Sequence, residues 1–153
     1  MTAKKTELAV AALQNGTVID HIPSNALFRA VHILGIERMT GGVTIGNNLP
    51  GSRMERKGII KVDGVEFDRD VLNRIAVVAP TATINVIRDY TVAEKHPVEL
   101  PDTLTGTVRC PNPKCITNNE PMATRFMVVD RSTPLLRCHY CNHCVSGADA
   151  EIL

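Results

Sequence analysis

Four cysteines in two close pairs limit this chain more than any other feature. Cys110-Pro-Asn-Pro-Lys-Cys115 is answered, after 22 intervening residues, by Cys138-His-Tyr-Cys141. Each short loop can offer two thiolates, and the segment between them can fold the second loop beside the first, which is what a tetrahedral structural metal site needs. Zinc is the usual metal for four sulfurs with no open position. Pro111 and Pro113 suit a stiff ligand loop. A disulfide pair and a redox CxxC are the rival readings. Against them stand the lack of an apolar leader-like start and the lack of a βαβ context around the motif. Cys144 is the spare thiol, because Cys141 makes the two-residue spacing with Cys138. His139 and His143 read as surface or interface histidines, since four sulfurs already fill the shell.

The remaining chemistry is bounded by charge. The chain has 153 residues, 17 basic and 16 acidic, for a formal net charge of +1. Twelve basic residues face eleven acidic ones in the first hundred positions, and five face five beyond them. Neither part has the basic excess of a nucleic-acid binder, and the cysteine-bearing part has only Phe126 and Tyr140 as aromatics. No apolar run is long enough to span a bilayer. The start, Met-Thr-Ala-Lys-Lys-Thr-Glu, is polar, so no membrane association and a cytoplasmic location are expected.

Residue patterning predicts a mixed α+β chain. Thr17–Ile22 reads as a β-branched strand ending at Pro23. Ser24 or Asn25 then caps a helix that turns Leu27, Phe28, Val31 and Leu34 inward and stops at Gly35. Strands are expected at 42–49 and 57–62. A second helix is expected after Asp68, with Val71, Leu72, Ile75 and Val78 inward and Pro80 at its end. Further strands follow at 81–87 and 90–93. This order is the split βαβ, ferredoxin-like arrangement. His96–Asp102, with two prolines, reads as a linker. Beyond it, Thr107–Cys110, Arg125–Val129 and Leu135–Cys138 supply short strands of an all-β, zinc-ribbon-like unit too small to hold itself together without metal. The expected division is 1–97 and 98–153.

At several motifs the chain resembles a known family, the regulatory chain of aspartate carbamoyltransferase. The matching stretches are Gly16-Thr-Val-Ile-Asp-His-Ile-Pro23, Asn48-Leu-Pro50, Arg56-Lys57 with Ile60-Lys61, Ala79-Pro-Thr-Ala-Thr-Ile-Asn85, and Cys-x4-Cys-x22-Cys-x2-Cys. The resemblance implies a non-catalytic subunit of pyrimidine biosynthesis. It would have an N-terminal allosteric domain for nucleoside triphosphates, a self-dimer contact, and a C-terminal domain with one structural zinc that docks on the catalytic chain.

The same resemblance assigns site residues. Lys95, with His21 nearby, would contact phosphates, Asp20 the ribose, and Lys61 ribose and base, with Lys57 further out. Ala12, Leu13 and Tyr90 would offer backbone groups to the base. Val10, Val18, Ile87 and Val92 would pack against the ligand, with Asn85 at the sheet edge. Cys110, Cys115, Cys138 and Cys141 would hold the metal. The chain departs from the family pattern at Ala11, Asn15, Pro50-Gly51-Ser52 and Asn142-His143-Cys144. Without the resemblance, a free nucleotide sensor with another partner, a nucleic-acid ribbon and an Asp20-His21 enzyme are the rival functions. No GxxxxGK[ST] or GxGxxG loop is present to announce a phosphate site.

Overall fold

A computed structural model describes residues 13–153. Val10 and Ala12, two of the expected base-site residues, lie outside them. The chain divides into two compact units, one ending at Asp68 and resumed over Thr81–Val98, the other made of Arg69–Pro80 and Glu99–Leu153.

The first unit is a five-stranded antiparallel sheet in the order β2-β3-β1-β4-β5. Its strands are β1 (Gly16–Pro23), β2 (Val43–Pro50), β3 (Arg56–Asp63), β4 (Thr83–Arg88) and β5 (Thr91–Pro97). The first four follow the ferredoxin-like order, with β5 added outside β4. Side chains of successive strand residues point to opposite faces, which gives the sheet a core face and an open face. Thr17, Ile19, Ile60, Val62, Ile84 and Val86 are buried on the core face. A plain strand would turn Ile22 away from Ile19, because they are three positions apart. The register instead shifts between Ile19 and Ile22, and His21 takes φ 59°. That bulge returns Ile22 to full burial.

Helix α1 (Leu27–Leu34) buries Leu27, Ala30 and Leu34. Phe28, expected inward, is 71% exposed, and Val31 is half-buried. A 3-10 turn over Ser24–Ala26 precedes the helix and sets its phase, so the buried stripe runs i, i+3, i+7 from Leu27. Neither Ser24 nor Asn25 caps α1: the residue at its N-cap is Ala26, with no side-chain cap bond. Gly35 does end it, at φ 68°, with its N–H bonded to the His32 carbonyl at 3.1 Å. Gly58 on β3 makes room for Leu27, whose Cδ1 would lie 2.8 Å from any Cβ added there.

Helix α2 (Arg69–Val78) groups with the second unit. Its last four residues, Ile75–Val78, are all buried, while Val71 and Leu72 are half-buried. Burial around the whole C-terminal turn, including Ala76 and Val77, goes beyond the one-sided stripe that the sequence predicts. Gly147 approaches it closely: a Cβ there would stand 2.3 Å from the Val77 carbonyl oxygen.

The second unit also holds a four-stranded sheet, β6 (Thr103–Thr105), β7 (Arg125–Asp130), β8 (Leu135–Cys138) and β9 (Cys144–Ser146), in sequence order. Leu104, Val108, Phe126, Leu136, Val145 and Ala150 are among its buried apolar residues. The strand expected at Thr107–Cys110 is only a single bridge, Val108 to Ile152. The linker is shorter than expected, because β5 runs through His96 to Pro97 and the Val98 N–H bonds to the Ala82 carbonyl at 3.0 Å. Pro97 is tolerated because β5 is an edge strand.

Candidate functional site

Two hairpin-like loops bring the cysteines together. In the first, the Asn118 side-chain amide donates to the carbonyls of Cys110 at 2.9 Å and Asn112 at 2.8 Å, and the Asn119 amide to those of Cys115 at 2.9 Å and Pro113 at 3.1 Å. These two asparagines stitch the loop, and the sequence reading passed over them. Their place directly after Cys115-Ile-Thr was the available signal, since a rigid ligand loop needs its carbonyls satisfied. In the second loop, the Cys138 N–H bonds to the His143 carbonyl at 2.8 Å and the Asn142 N–H to the Cys138 carbonyl at 3.0 Å. Asn142 sits at φ 65°, a conformation that asparagine accepts readily.

The Sγ atoms of Cys110, Cys115, Cys138 and Cys141 all lie within 4.8 Å of one another. Cys110 and Cys141 are 3.5 Å apart, Cys115 and Cys138 3.8 Å. A tetrahedron of Zn–S bonds near 2.3 Å has edges of about 3.8 Å, so the cluster fits one zinc ion. Such a closed shell supplies cross-linking of the two loops and leaves no water position for catalysis. Burial pushes the Cys110 and Cys138 thiols up. For Cys141 burial acts the same way, but hydrogen bonds from the His143 backbone and the Asn112 side chain outweigh it and bring the thiol down to about 6. Cys144 is exposed and outside the cluster, with its Sγ 4.0 Å from the Asn142 carbonyl. No histidine belongs to the group: His143 Nδ1 stands 3.6 Å from Cys141 Sγ, and His139 makes an edge-on ring contact with Tyr140.

Among the described residues, Val18, Asp20, Lys61, Asn85, Ile87, Val92 and Lys95 fall on the open face of the first sheet. Val18 pairs with Lys61 on one side and Asn85 on the other, and Asn85 pairs with Lys95. Directly paired residues share a face, so these four form one row across β3, β1, β4 and β5. Asp20 and Thr83 pair in the next position along. A bulge in β5 between the Val86 and Ile87 pairings lets both Val92 and Lys95 join this face, opposite Ile87 and Asn85. Asn85 is therefore one strand inside the edge, because β5 covers it. Its amide donates to the Val18 carbonyl at 3.3 Å.

His21 ends the face at the β1 bulge. Its Nδ1 lies 3.1 Å from Thr83 Oγ1, a partner that the sequence reading did not single out. Burial holds the imidazole below its ordinary pKa, Asp20 opposes that shift, and Lys57, Arg53 and Lys95 reinforce it. Lys57 and Asp20 form a partly sheltered ion pair at 2.9 Å. Tyr90 and Asp89, at φ 65° and 51°, make the β4–β5 turn. The Tyr90 N–H is occupied by the Gln14 carbonyl at 3.0 Å. Leu13 is buried, and its side chain closes on Gly16. Among the described residues, no helix is long and apolar enough to cross a membrane.

The fold and site define a two-unit α+β protein with lysines on the open face of one sheet and a four-thiol metal-binding cluster in the second unit. Two family models match the sequence. One is described as the aspartate carbamoyltransferase regulatory chain, allosteric domain, over residues 8–99, the other as that chain's metal binding domain, over residues 102–151. Among similar relatives, each called an aspartate carbamoyltransferase regulatory chain, that of Bacteroides fragilis is 55% identical over 153 residues, covering 100% of both chains. That of Parabacteroides distasonis is 52% identical over 149 residues, 97% of both chains. That of Pyrococcus abyssi is 45% identical over 149 residues, 96% of this chain and 97% of the relative. The chain belongs to the family of aspartate carbamoyltransferase regulatory chains, whose members are non-catalytic.

Proposed function

We propose that this chain binds nucleoside triphosphates of the CTP, ATP and UTP class on the open face of its first sheet. Binding is passed to aspartate carbamoyltransferase catalytic chains through the zinc-held unit. The cross-strand row Lys61–Val18–Asn85–Lys95 carries the reading. Two cations flank an uncharged floor, with Asp20 and His21 beside it, which suits a base and ribose bearing a polyanionic tail. The ligand contacts are Val10, Ala12, Leu13, Val18, Asp20, His21, Lys61, Asn85, Ile87, Tyr90, Val92 and Lys95. Tyr90 acts through its carbonyl. The zinc ligands are Cys110, Cys115, Cys138 and Cys141. Residues 1–97 serve as the allosteric domain and 98–153 as the docking domain, in a cytoplasmic assembly.

A second copy of the chain pairs at β2. That edge strand carries no charged residue from Val43 to Pro50, and Ile45 is 42% exposed. The opposite edge, β5, bears Glu94, Lys95 and Pro97, which discourage strand addition. An effector can shift the assembly only by the difference in its affinity for two quaternary states. One pocket can thus serve both an inhibitor and an activator.

Co-expression with the catalytic chain, followed by size analysis with and without a mercurial, tests the reading. A large complex that breaks into catalytic oligomers and regulatory dimers as zinc leaves is the expected result. A zinc-loaded, nucleotide-binding chain that forms no such complex would instead point to a nucleotide-sensing adaptor for another partner.

A further inference from the structure

Asp20 is the carboxylate expected to meet a ribose, yet both of its oxygens are engaged. Lys57 Nζ lies 2.9 Å from Oδ1 and 3.0 Å from Oδ2, and the His21 N–H donates to Oδ1 at 2.6 Å. The Lys57 and Asp20 side chains are only 15% and 20% exposed, so solvent screens the pair less than an ordinary surface pair. Neither backbone is free to move away. Lys57 is held in β3 opposite Pro23 on one side and Leu49 on the other, while Asp20 is paired to Thr83 at the bulge. What can move is the ammonium on its four-carbon stem.

We infer that Lys57 is a latch on Asp20, an inference that rests on the nucleotide reading of this face. As the structure stands, the lysine closes the carboxylate. A polyphosphate tail, entering beside Lys95 and His21, offers the ammonium a stronger anion and draws it off, and Asp20 then accepts from the ribose hydroxyls. A nucleoside without phosphates has nothing to offer the lysine and must compete with it for Asp20. The pair therefore discriminates against nucleosides twice, once by missing phosphate contacts and once by a blocked ribose site. Lys57 is a specificity-determining residue as well as a phosphate contact.

The two roles separate in one experiment, calorimetric titration of the full-length, zinc-loaded chain with CTP and with cytidine. Lys57→Met should weaken CTP at least about tenfold while strengthening cytidine about threefold or more. Adding Asp20→Ala should remove the cytidine gain. Cytidine affinity that is unchanged, lower or undetectable in both wild type and Lys57→Met overturns the latch, even if CTP still binds the wild type. A wild type that does not bind CTP overturns the nucleotide reading itself and the latch with it. If zinc content or circular dichroism shows that Lys57→Met is misfolded, Lys57→Gln keeps most of the stem without the charge and is read in the same way.

Discussion

Lys61 and Lys95 stand in the same cross-strand row on the open face of the first sheet, joined through Val18 and Asn85. They are 34 positions apart in the chain, and only the strand order brings them into line. A ligand that spans the row meets a cation at each end.

Replacing either end should separate ligand binding from assembly. Lys95→Ala should remove the proposed phosphate contact, and a charge-assisted hydrogen bond contributes about 1.5–3 kcal/mol, so CTP affinity should fall about tenfold or more. Size analysis with the catalytic chain should be unchanged. Equal affinity in calorimetry would remove Lys95 from the site.

The metal unit should respond differently. Cys115→Ser replaces a buried sulfur within the four-thiol cluster, so zinc content should drop well below one per chain and the complex with the catalytic chain should be lost. Elemental analysis and size analysis of the co-expressed proteins measure both. A normal complex would show that the metal does not organise the docking surface.

Acid should release the metal. Zinc needs thiolates, and Cys110 and Cys138 hold their protons more firmly than ordinary thiols. Protons therefore compete increasingly as pH falls, and Cys141, at about 6, is the last of these three to be reclaimed. Zinc transfer to an indicator dye should rise steadily from pH 8 to below about 6. Flat retention across that range would contradict a thiolate-only shell.

At the proposed ligand site, His21 should set the opposite dependence. Its folded pKa is depressed, so the unfolded chain takes up the proton first, and its contribution to stability is lost as pH falls below about 6.5. A bound polyanion favours the imidazolium, so the complex holds more protons than the free chain. Triphosphate affinity should then increase as pH falls from about 7.5 to 6, and His21→Asn should flatten that slope. Calorimetry at several pH values decides it.

Gly16 offers a test of the fold alone. It sits at φ 147°, and a Cβ would stand 2.1 Å from the Val62 carbonyl oxygen and 2.9 Å from the Gly64 nitrogen. Gly16→Ala should cost about 1–3 kcal/mol in chemical denaturation, because both obstacles are backbone atoms. A smaller loss would mean that β1 and β3 can separate locally.

The sequence was most informative where one residue type had one job. Cysteine spacing led to the sulfur cluster, and β-branched alternation located β1, β3 and β4. It was less informative where a local irregularity set the phase. Phe28 belongs to an apolar stripe on paper, but the 3-10 turn over Ser24–Ala26 starts the helix on Leu27 and leaves Phe28 outside. Asn85 looked like an edge residue until β5 extended to Pro97 and covered its strand. The shared row of Lys61 and Lys95 follows from register, which no local window of sequence contains. Thr83, Asn118 and Asn119 went unnoticed for a related reason. Their importance lies in the hydrogen bonds they complete, and polar residues of these types are common in loops and strands.

The pleat of β1 has a further consequence. Thr17, Ile19 and Ile22 are locked into the interior, while Val18 and Asp20 face the proposed ligand. Neighbouring positions on the same strand thus answer to different demands, folding on one side and effector choice on the other. Substituting only the outward positions should let the ligand preference of this subunit be rewritten, in the laboratory or by mutation, without renegotiating the interior. The boundary between what can drift and what cannot runs lengthwise through a single strand.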